Sequence, residues 1–285
     1  MNNDTFANLE EGMKKINPLL LTLTFFLMFV NWGLEAWKWK LLVSSLEKIS
    51  FGVSLKSVFS GVTVSIFMPN RVGEFAGRIF FLEKANKIEA TLKNFVGSAM
   101  QLFMTFSIGL VAMFYLLRLF DANWDLSENQ FRVAIGCIIA AFIFLIVLFF
   151  INRSRNVFSP KIQSYLKAVF DINRKDLFVV FCLSFLRYCV FLFQYYLVIK
   201  AVGIRVEFDV AATLIAVTFF ISSVVPSFAF TEVLTRGAVA VSLFWIIGAS
   251  NSAVVASSLL VWIINLAIPA LIGSAFIWKL KLFKQ

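Results

Sequence analysis

Five long apolar runs are the feature of this sequence that most restricts its fold. They lie near residues 17–37, 92–118, 131–151, 177–199 and 252–278. A helix needs about 20 mostly apolar residues to cross a bilayer. Apolar residues make up 60% of the chain and charged residues 15%, whereas soluble domains have about 45–50% and about 25%. The sequence therefore predicts an all-α, polytopic membrane protein of about seven or eight membrane segments and excludes a soluble enzyme.

Two further apolar regions, 53–82 and 210–248, are each interrupted by a polar segment that contains a proline. The runs before the interruptions, 53–68 and 210–225, are short for a full crossing. Irregular backbone at membrane depth is tolerated only where it is buried in protein or lines a water-filled cavity. We therefore expect two broken, re-entrant helical hairpins.

The distribution of charge predicts the orientation of the chain. The formal net charge is +10, and basic residues concentrate in segments 38–56 and 152–176 and near the C-terminus. Segment 119–130 instead carries three acidic residues and no basic one. By the positive-inside rule, the basic segments and the C-terminus are cytoplasmic. Nucleic acid is not an expected partner, because no extramembrane segment is long enough to fold as a binding module.

The two broken regions share a pattern of a proline, four or five residues, a glutamate, three residues and an arginine. The pattern comprises Pro69, Glu74 and Arg78 in the first region and Pro226, Glu232 and Arg236 in the second. Proline interrupts a helix, and residues four apart share one helix face. With the basic segments inside, the first region is expected to leave from and return to the cytoplasmic side, and the second to leave from and return to the outer side. Two such breaks with opposite predicted orientation indicate an inverted repeat. We expect one transmembrane domain, 1–285, with halves at about 17–151 and 177–279.

Charged side chains within a bilayer are costly and usually functional. Arg187 lies ten residues into the run 177–199 and shares a helix face with Gln194. It needs a carboxylate, backbone carbonyls or a ligand anion as a partner, and Glu74 and Glu232 are the candidate carboxylates. Glu35 is placed near the membrane interface, where Lys38 is expected to neutralise it. The candidate substrate-binding residues are Arg71, Glu74, Arg78, Arg187, Gln194, Glu232 and Arg236, and the structural breaks are Pro69, Gly73 and Pro226.

The chemistry of these residues favours an anionic ligand, although each Glu–Arg pair alone is also compatible with a structural salt bridge. Four embedded arginines face three embedded glutamates, and arginine pairs well with phosphate through its planar fork. The chain has no histidine and no clustered acidic motif for a metal ion. We therefore expect neither a cofactor nor a bound metal, and we do not expect an enzyme.

Three segments resemble the lysylphosphatidylglycerol synthase transmembrane-region family, also called flippase-like. They are Met68 to Glu74 with Arg78, Pro226 to Arg236 with Gly248, and Trp37 to Lys40 after Glu35. The resemblance covers nearly the whole chain and implies an integral protein of the bacterial inner membrane. In bifunctional members this region is associated with translocating an aminoacylated phospholipid that a soluble domain makes, and we expect that domain to be absent here. Other relatives carry glycosyltransferases, which hints at polyprenyl-linked substrates.

These observations lead to one favoured function and one alternative. The favoured function is translocation of an anionic phospholipid or a polyprenyl-phosphate-linked substrate across the inner membrane, with membrane lipids as partners. The alternative is a non-transporting scaffold for a separately encoded cytosolic transferase of lipids. In that case the basic segment 152–176 is the expected docking site, although it is also suited to anionic lipid head groups.

Overall fold

The computed structural model describes residues 17–68, 71–119, 172–225 and 228–282, which are helical with no strand among them. This confirms the all-α fold class. In chain order the helices are α1 (Pro18–Val43), α2 (Phe51–Ser65), α3 (Gly73–Ile79), α4 (Lys87–Leu119), α5 (Arg174–Ala201), α6 (Phe208–Val224), α7 (Ala229–Phe244), α8 (Asn251–Trp262) and α9 (Ile268–Leu282).

Five segments within the described residues are long and apolar enough to cross a membrane. They are Pro18–Val43, Lys87–Arg118, Arg174–Ala201, Phe230–Ile247 and Asn251–Lys279. Four match predicted apolar runs, and the fifth belongs to the second broken region, so a polytopic membrane protein is confirmed. The predicted span 131–151 lies outside the described residues, as do most of 119–130 and 152–176.

Helix α1 begins where its sequence supplies a cap. Pro18 occupies the first turn, where its missing N–H would have no helical partner in any case. The side chain of Asn17 accepts hydrogen bonds from the N–H groups of Leu19 and Leu20 at 3.0 and 3.4 Å. The backbone N–H of Asn17 also donates to Ala201 O at 2.9 Å. This last bond places the start of α1 beside the end of α5.

Helix α1 runs past the predicted end of its span, to Val43. The assignment of Lys38 to the polar segment 38–56 is therefore wrong. Lys38 follows Glu35 by three residues and so lies on the same helix face, which is the buried one. Its side chain is only 2% exposed.

The first hairpin, α2 and α3, packs backbone against backbone through glycines. A Cβ atom added to Gly77 would lie 2.5 Å from Gly61 Cα, and one added to Gly73 would lie 2.5 Å from Val64 O. Gly73, predicted as part of the break, is thus the first residue of α3 and a contact point between the two helices. The predicted breaks Pro69 and Pro226 lie outside the described residues.

A single carboxylate joins the two ends of the first hairpin. Glu47, just before α2, accepts hydrogen bonds at 3.1, 2.8 and 2.9 Å from the backbone N–H groups of Glu83, Lys84 and Ala85, just after α3. Slight burial raises the pKa of Glu47, but these donors outweigh it and hold the pKa below its ordinary value. The hairpin therefore returns to the side on which it began, as expected of a re-entrant segment.

The second half of the chain repeats the order of elements in the first. Each begins with a long helix, α1 or α5, continues with a short helix, α2 or α6, and resumes after the interruption as α3 or α7. Each then ends in a long segment: α4 in the first half, and α8 with α9 in the second. The inverted orientation of the two halves stays a prediction.

Helices α8 and α9 are joined without a loop by a wider turn at Ile263–Ala267, in which the N–H of Ile268 bonds to Ile263 O, five residues back. Asn265 in this turn points its side chain toward α1, where Asn31 Nδ2 donates to its Oδ1 at 3.3 Å. In α9, Gly273 lies directly against the backbone of Phe59 in α2.

The core of the described residues consists of three hydrophobic clusters. One surrounds Tyr195 on α5 and includes Met104 of α4. The second surrounds Trp32 on α1 and includes Leu266, just before α9, and a smaller third one lies around Leu42. The two large clusters therefore each combine side chains from both halves of the chain.

Candidate functional site

Glu35 is the centre of a group of buried charges that we call the buried cluster, formed by Glu35, Lys38, Glu74, Arg78 and Arg187. Its carboxylate lies 2.7 Å from Lys38 Nζ, 2.8 Å from Arg78 Nη1 and 3.0 Å from Arg187 Nη1. The predicted pairing with Lys38 is confirmed, but Glu35 forms ion pairs with three cations that belong to three helices. Its side chain is only 4% exposed. Glu35 lies on the buried face of α1, packed against other helices, and its expected position near the membrane interface stays a prediction.

Arg78 connects Glu35 to the first motif. Its Nη1 also donates to Asn94 Oδ1 at 2.8 Å, and its Nη2 donates to Glu74 at 2.9 Å. The Glu74–Arg78 pair has the predicted spacing of four residues along α3. The guanidinium of Arg78 lies over the ring of Trp39, with Cζ 5.9 Å from the ring centroid. Arg78 is thus held on all sides by α1, α3 and α4, and its side chain is buried.

Arg187 reaches across from α5 to α1. Its Nε donates to Asn31 Oδ1 at 2.9 Å, and its guanidinium lies over the ring of Trp32 at 5.1 Å. Arg187 does pair with a carboxylate, but the partner is Glu35 and neither of the candidates Glu74 and Glu232. Helices α1 and α5 are antiparallel, and this register places Arg187 beside Asn31 and Glu35 instead.

Gln194 supports the same helix pair. Its Nε2 donates to Thr24 O at 2.9 Å, and the residue is fully buried. With the bond from Asn17 to Ala201, this contact fixes the antiparallel register of α1 and α5. Gln194 shares a helix face with Arg187, as predicted, but its hydrogen bond holds the helices together, and its proposed role in binding a substrate stays a prediction.

Arg71, Glu232 and Arg236 form a second group, which we call the hairpin cluster. Arg71 donates to both oxygens of Glu232, with Nε 3.1 Å from Oε2 and Nη2 2.8 Å from Oε2 and 3.0 Å from Oε1. Arg236 Nη2 donates to Glu232 Oε1 at 2.6 Å. The first broken region therefore contacts the motif of the second.

The two arginines of the hairpin cluster are held differently. Arg71 has a positive φ of 56°, a backbone conformation that is uncommon for residues other than glycine, and its side chain is 34% exposed. The guanidinium of Arg236 lies over the rings of Phe191 and Phe219 at 5.6 and 5.5 Å. Those rings stack on each other with centroids 4.8 Å apart. Arg236 is therefore well anchored, whereas Arg71 is the more accessible cation.

The two clusters are neighbours in the first hairpin. Arg71 precedes Glu74 by three residues in the chain, and Glu74 in turn pairs with Arg78 at 2.9 Å. Charges of alternating sign thus run from Arg187 through Glu35, Arg78, Glu74, Arg71 and Glu232 to Arg236. A rearrangement of one ion pair in this series alters the balance at the next, because the charges share partners.

The donor set of the site suits an anion. Guanidinium groups present several N–H donors in a fixed plane and match phosphate or carboxylate oxygens. In the part of the chain that the structure describes, no group of three or more His, Cys, Asp or Glu side chains is arranged to hold a metal ion. The arrangement can bind and exchange charged groups.

Of the predicted residues, Glu74, Arg78 and Arg187 join the buried cluster, and Arg71, Glu232 and Arg236 form the hairpin cluster. Sequence reasoning gave too little weight to Glu35, Lys38, Asn31 and Asn94. The available signal was the spacing of Asn31, Glu35 and Lys38, which places three polar side chains on one face of a membrane helix.

Comparison with known proteins gives one match. The family model described as the lysylphosphatidylglycerol synthase TM region matches residues 5–273. Neither the curated proteins nor the solved structures contain a match to the chain.

Proposed function

We propose, since the chain belongs to the family of the lysylphosphatidylglycerol synthase TM region, that it carries lipids with anionic head groups from one leaflet of the membrane to the other. Family membership makes it a membrane protein of lipid metabolism or transport. Translocation is the specific role that we assign to it. The polyprenyl phosphates belong to the same class of substrate, because they also join an anionic head group to an apolar tail.

The ion pair between Arg71 and Glu232 is the observation that carries this proposal. It joins two interrupted helices that begin in different halves of the chain, at 2.8 Å between Arg71 Nη2 and Glu232 Oε2. Broken helices that meet within the membrane are typical of substrate sites in transporters built from repeats. If each Glu–Arg pair were only a structural salt bridge within its own hairpin, no ion pair between the two hairpins would be needed.

An anionic head group is suited to open this contact. Glu232 is shared by Arg71 and Arg236, so a phosphate that approaches the two guanidiniums competes with one carboxylate for both. When the phosphate replaces Glu232 on Arg71, the two hairpins lose their ion pair and are free to separate. Binding energy at the head group would thereby be used to change the conformation.

The surroundings of the break favour a lipid over a water-soluble anion. Phe67 and Val72 beside Arg71 and Phe228 and Phe230 near Glu232 are all more than half exposed. An apolar tail can lie against such side chains while the head group contacts arginine. A free ion would leave this apolar surface unused.

The proposal includes a location and a partner. We assign the chain to the bacterial inner membrane with the C-terminus in the cytoplasm, following the concentration of lysines near that end. A separately encoded cytosolic transferase that delivers a modified lipid is compatible with translocation. If the protein were only a scaffold, the contact between the two broken hairpins would have no role.

Leaflet exchange of fluorescent lipids in reconstituted vesicles tests the function. We expect the protein to accelerate exchange of an anionic lipid, and we expect Glu74→Ala and Arg236→Ala to abolish the acceleration. Lys56→Ala, at an exposed basic residue of α2, is the matched control and should exchange lipid at the rate of the unmodified protein. Unchanged exchange in both site variants, with normal folding, would remove the proposal.

A further inference from the structure

We infer that the translocation site prefers a lipid head group with two negative charges, such as a phosphate monoester, over a singly charged phosphodiester. This inference deepens the proposed function and rests on it. It follows from the charge balance of the two clusters, from the exposure of their cations and from the number of donors that they present.

The two clusters together carry a surplus of two positive charges. Their ion pairs join five cations to three carboxylates: Lys38, Arg71, Arg78, Arg187 and Arg236 face Glu35, Glu74 and Glu232. The sequence alone indicates a surplus of one, because it places Lys38 in a polar segment outside the membrane. The buried position of Lys38 adds the second charge.

A surplus of this kind is costly in a membrane protein. Removing a charge from water carries a large desolvation penalty that a counter-ion or hydrogen bonds must offset. The hydrogen bond from Lys38 Nζ to Gly97 O, at 3.3 Å, offsets part of this penalty. A carbonyl dipole does not cancel a full charge, however. An anion with two negative charges would balance the clusters.

Three of the five cations remain within reach of a ligand. The side chains of Arg71, Arg187 and Arg236 are 34%, 19% and 15% exposed, whereas those of Lys38 and Arg78 are each 2% exposed. Arg236 lies over Phe191, which follows Arg187 by one turn of α5. Arg236 therefore lies between Arg71, with which it shares Glu232, and the part of α5 that carries Arg187.

A phosphate monoester matches these donors better than a phosphodiester does. It carries a charge of about −1.5 to −2 at neutral pH and offers three strong acceptor oxygens. A phosphodiester carries one charge and two such oxygens. The buried Nε of Arg236 has no hydrogen-bond partner within the described residues, so the site has donor capacity that the protein itself does not use.

The experiment compares three lipids that differ only in their head group. Vesicles that contain the protein are loaded with short-chain fluorescent phosphatidic acid, phosphatidylglycerol or phosphatidylcholine, and exchange is followed by extraction into albumin at neutral pH. The rate in protein-free vesicles is subtracted for each lipid. We expect phosphatidic acid to exchange at least about tenfold faster than phosphatidylglycerol, which corresponds to about 1.4 kcal/mol.

Two variants separate charge balance from general damage. Lys38→Met removes one surplus charge without touching the head group and should lower the ratio of phosphatidic acid to phosphatidylglycerol exchange. Lys56→Met, at an exposed lysine, should leave the ratio unchanged. If Lys38→Met does not fold, Arg71→Gln removes one charge at the accessible end and should lower the ratio in the same way. A ratio that stays constant when either charge is removed would overturn the inference.

The remaining outcomes are equally distinct. Exchange of phosphatidylglycerol as fast as that of phosphatidic acid would overturn the charge preference and leave the proposed function intact. Exchange of none of the three lipids above the protein-free rate would refute both. Inhibition by glycerol 3-phosphate as strong as that by a short-chain phosphatidic acid would assign the site to soluble phosphates and overturn the preference for a lipid.

Discussion

Arg71 and Glu232 are 161 residues apart in the sequence and form a two-pronged ion pair, with Arg71 Nη2 2.8 Å from Glu232 Oε2. The two residues belong to different broken hairpins, and Arg71 adopts an uncommon backbone conformation to make the contact. Arg236 donates to Oε1 of the same carboxylate at 2.6 Å. The contact ties the two hairpins together at a partly exposed position.

This ion pair predicts an energetic coupling between the two positions. In a double-mutant cycle, Arg71→Ala and Glu232→Ala should be non-additive by about 1–3 kcal/mol in the free energy of unfolding, because the residues share bonds directly. The measurement is unfolding in detergent micelles. Arg71→Ala combined with Lys56→Ala should be additive, and additivity in the Arg71 and Glu232 cycle would contradict the observed contact.

The buried cluster predicts that Glu35 is required for stability. Glu35→Gln leaves the buried Lys38 and Arg78 and the partly buried Arg187 without their shared anion, and breaking buried pairs in this way costs about 3–5 kcal/mol. Thermal unfolding in detergent should show a large loss. Glu83→Gln, at an exposed glutamate, is the control, and equal stability of the two variants would show that Glu35 is not the counter-ion of the cluster.

The close packing of the first hairpin predicts opposite effects of two glycine substitutions. Gly77→Ala forces its new methyl group against Gly61 and should destabilise the protein by about 1–3 kcal/mol. The same change at Gly237 meets its nearest atom at 3.9 Å and improves helix propensity, so it should be neutral or stabilising by up to about 1 kcal/mol. Similar unfolding temperatures for the two variants would contradict the contact between α2 and α3.

The carboxylate that closes the first hairpin predicts a dependence on pH. Because the folded state lowers the pKa of Glu47, its contribution is complete above the pKa of the unfolded chain, about 4.3 for glutamate. The contribution is lost as the pH falls through the lower folded value. Glu47→Gln should therefore be less stable than the unmodified protein at neutral pH, and the difference should shrink under acid conditions. A constant difference in unfolding temperature at all pH values would exclude this role.

The sequence was sufficient to predict the all-α fold class, the apolar segments that the structure describes and the interruption after each of α2 and α6, because each depends on residues that are close in the chain. The pairs Glu74–Arg78 and Glu232–Arg236 were predictable for the same reason. The partners of Arg187 and Arg71 were not, since they depend on how α1 meets α5 and how one hairpin meets the other. Such contacts are set by helix register, which composition and periodicity do not specify.

The burial of Lys38 shows a second limit. A lysine beside tryptophans at the end of an apolar run is typical of a membrane interface, and this pattern predicts exposure. The structure instead extends α1 to Val43, and Glu35 receives Lys38 as one of three cations. The predicted charge balance of the site was low by one for this reason.

The wide turn at Ile263–Ala267 holds one residue more than a regular helix would use there. Deleting one residue from it would restore a regular helix, so α9 would keep nearly the same phase and Gly273 would stay against Phe59. Asn265, inside the turn, would lose its position opposite Asn31. The extra residue therefore aims one amide at α1 without disturbing the packing of α9 on α2.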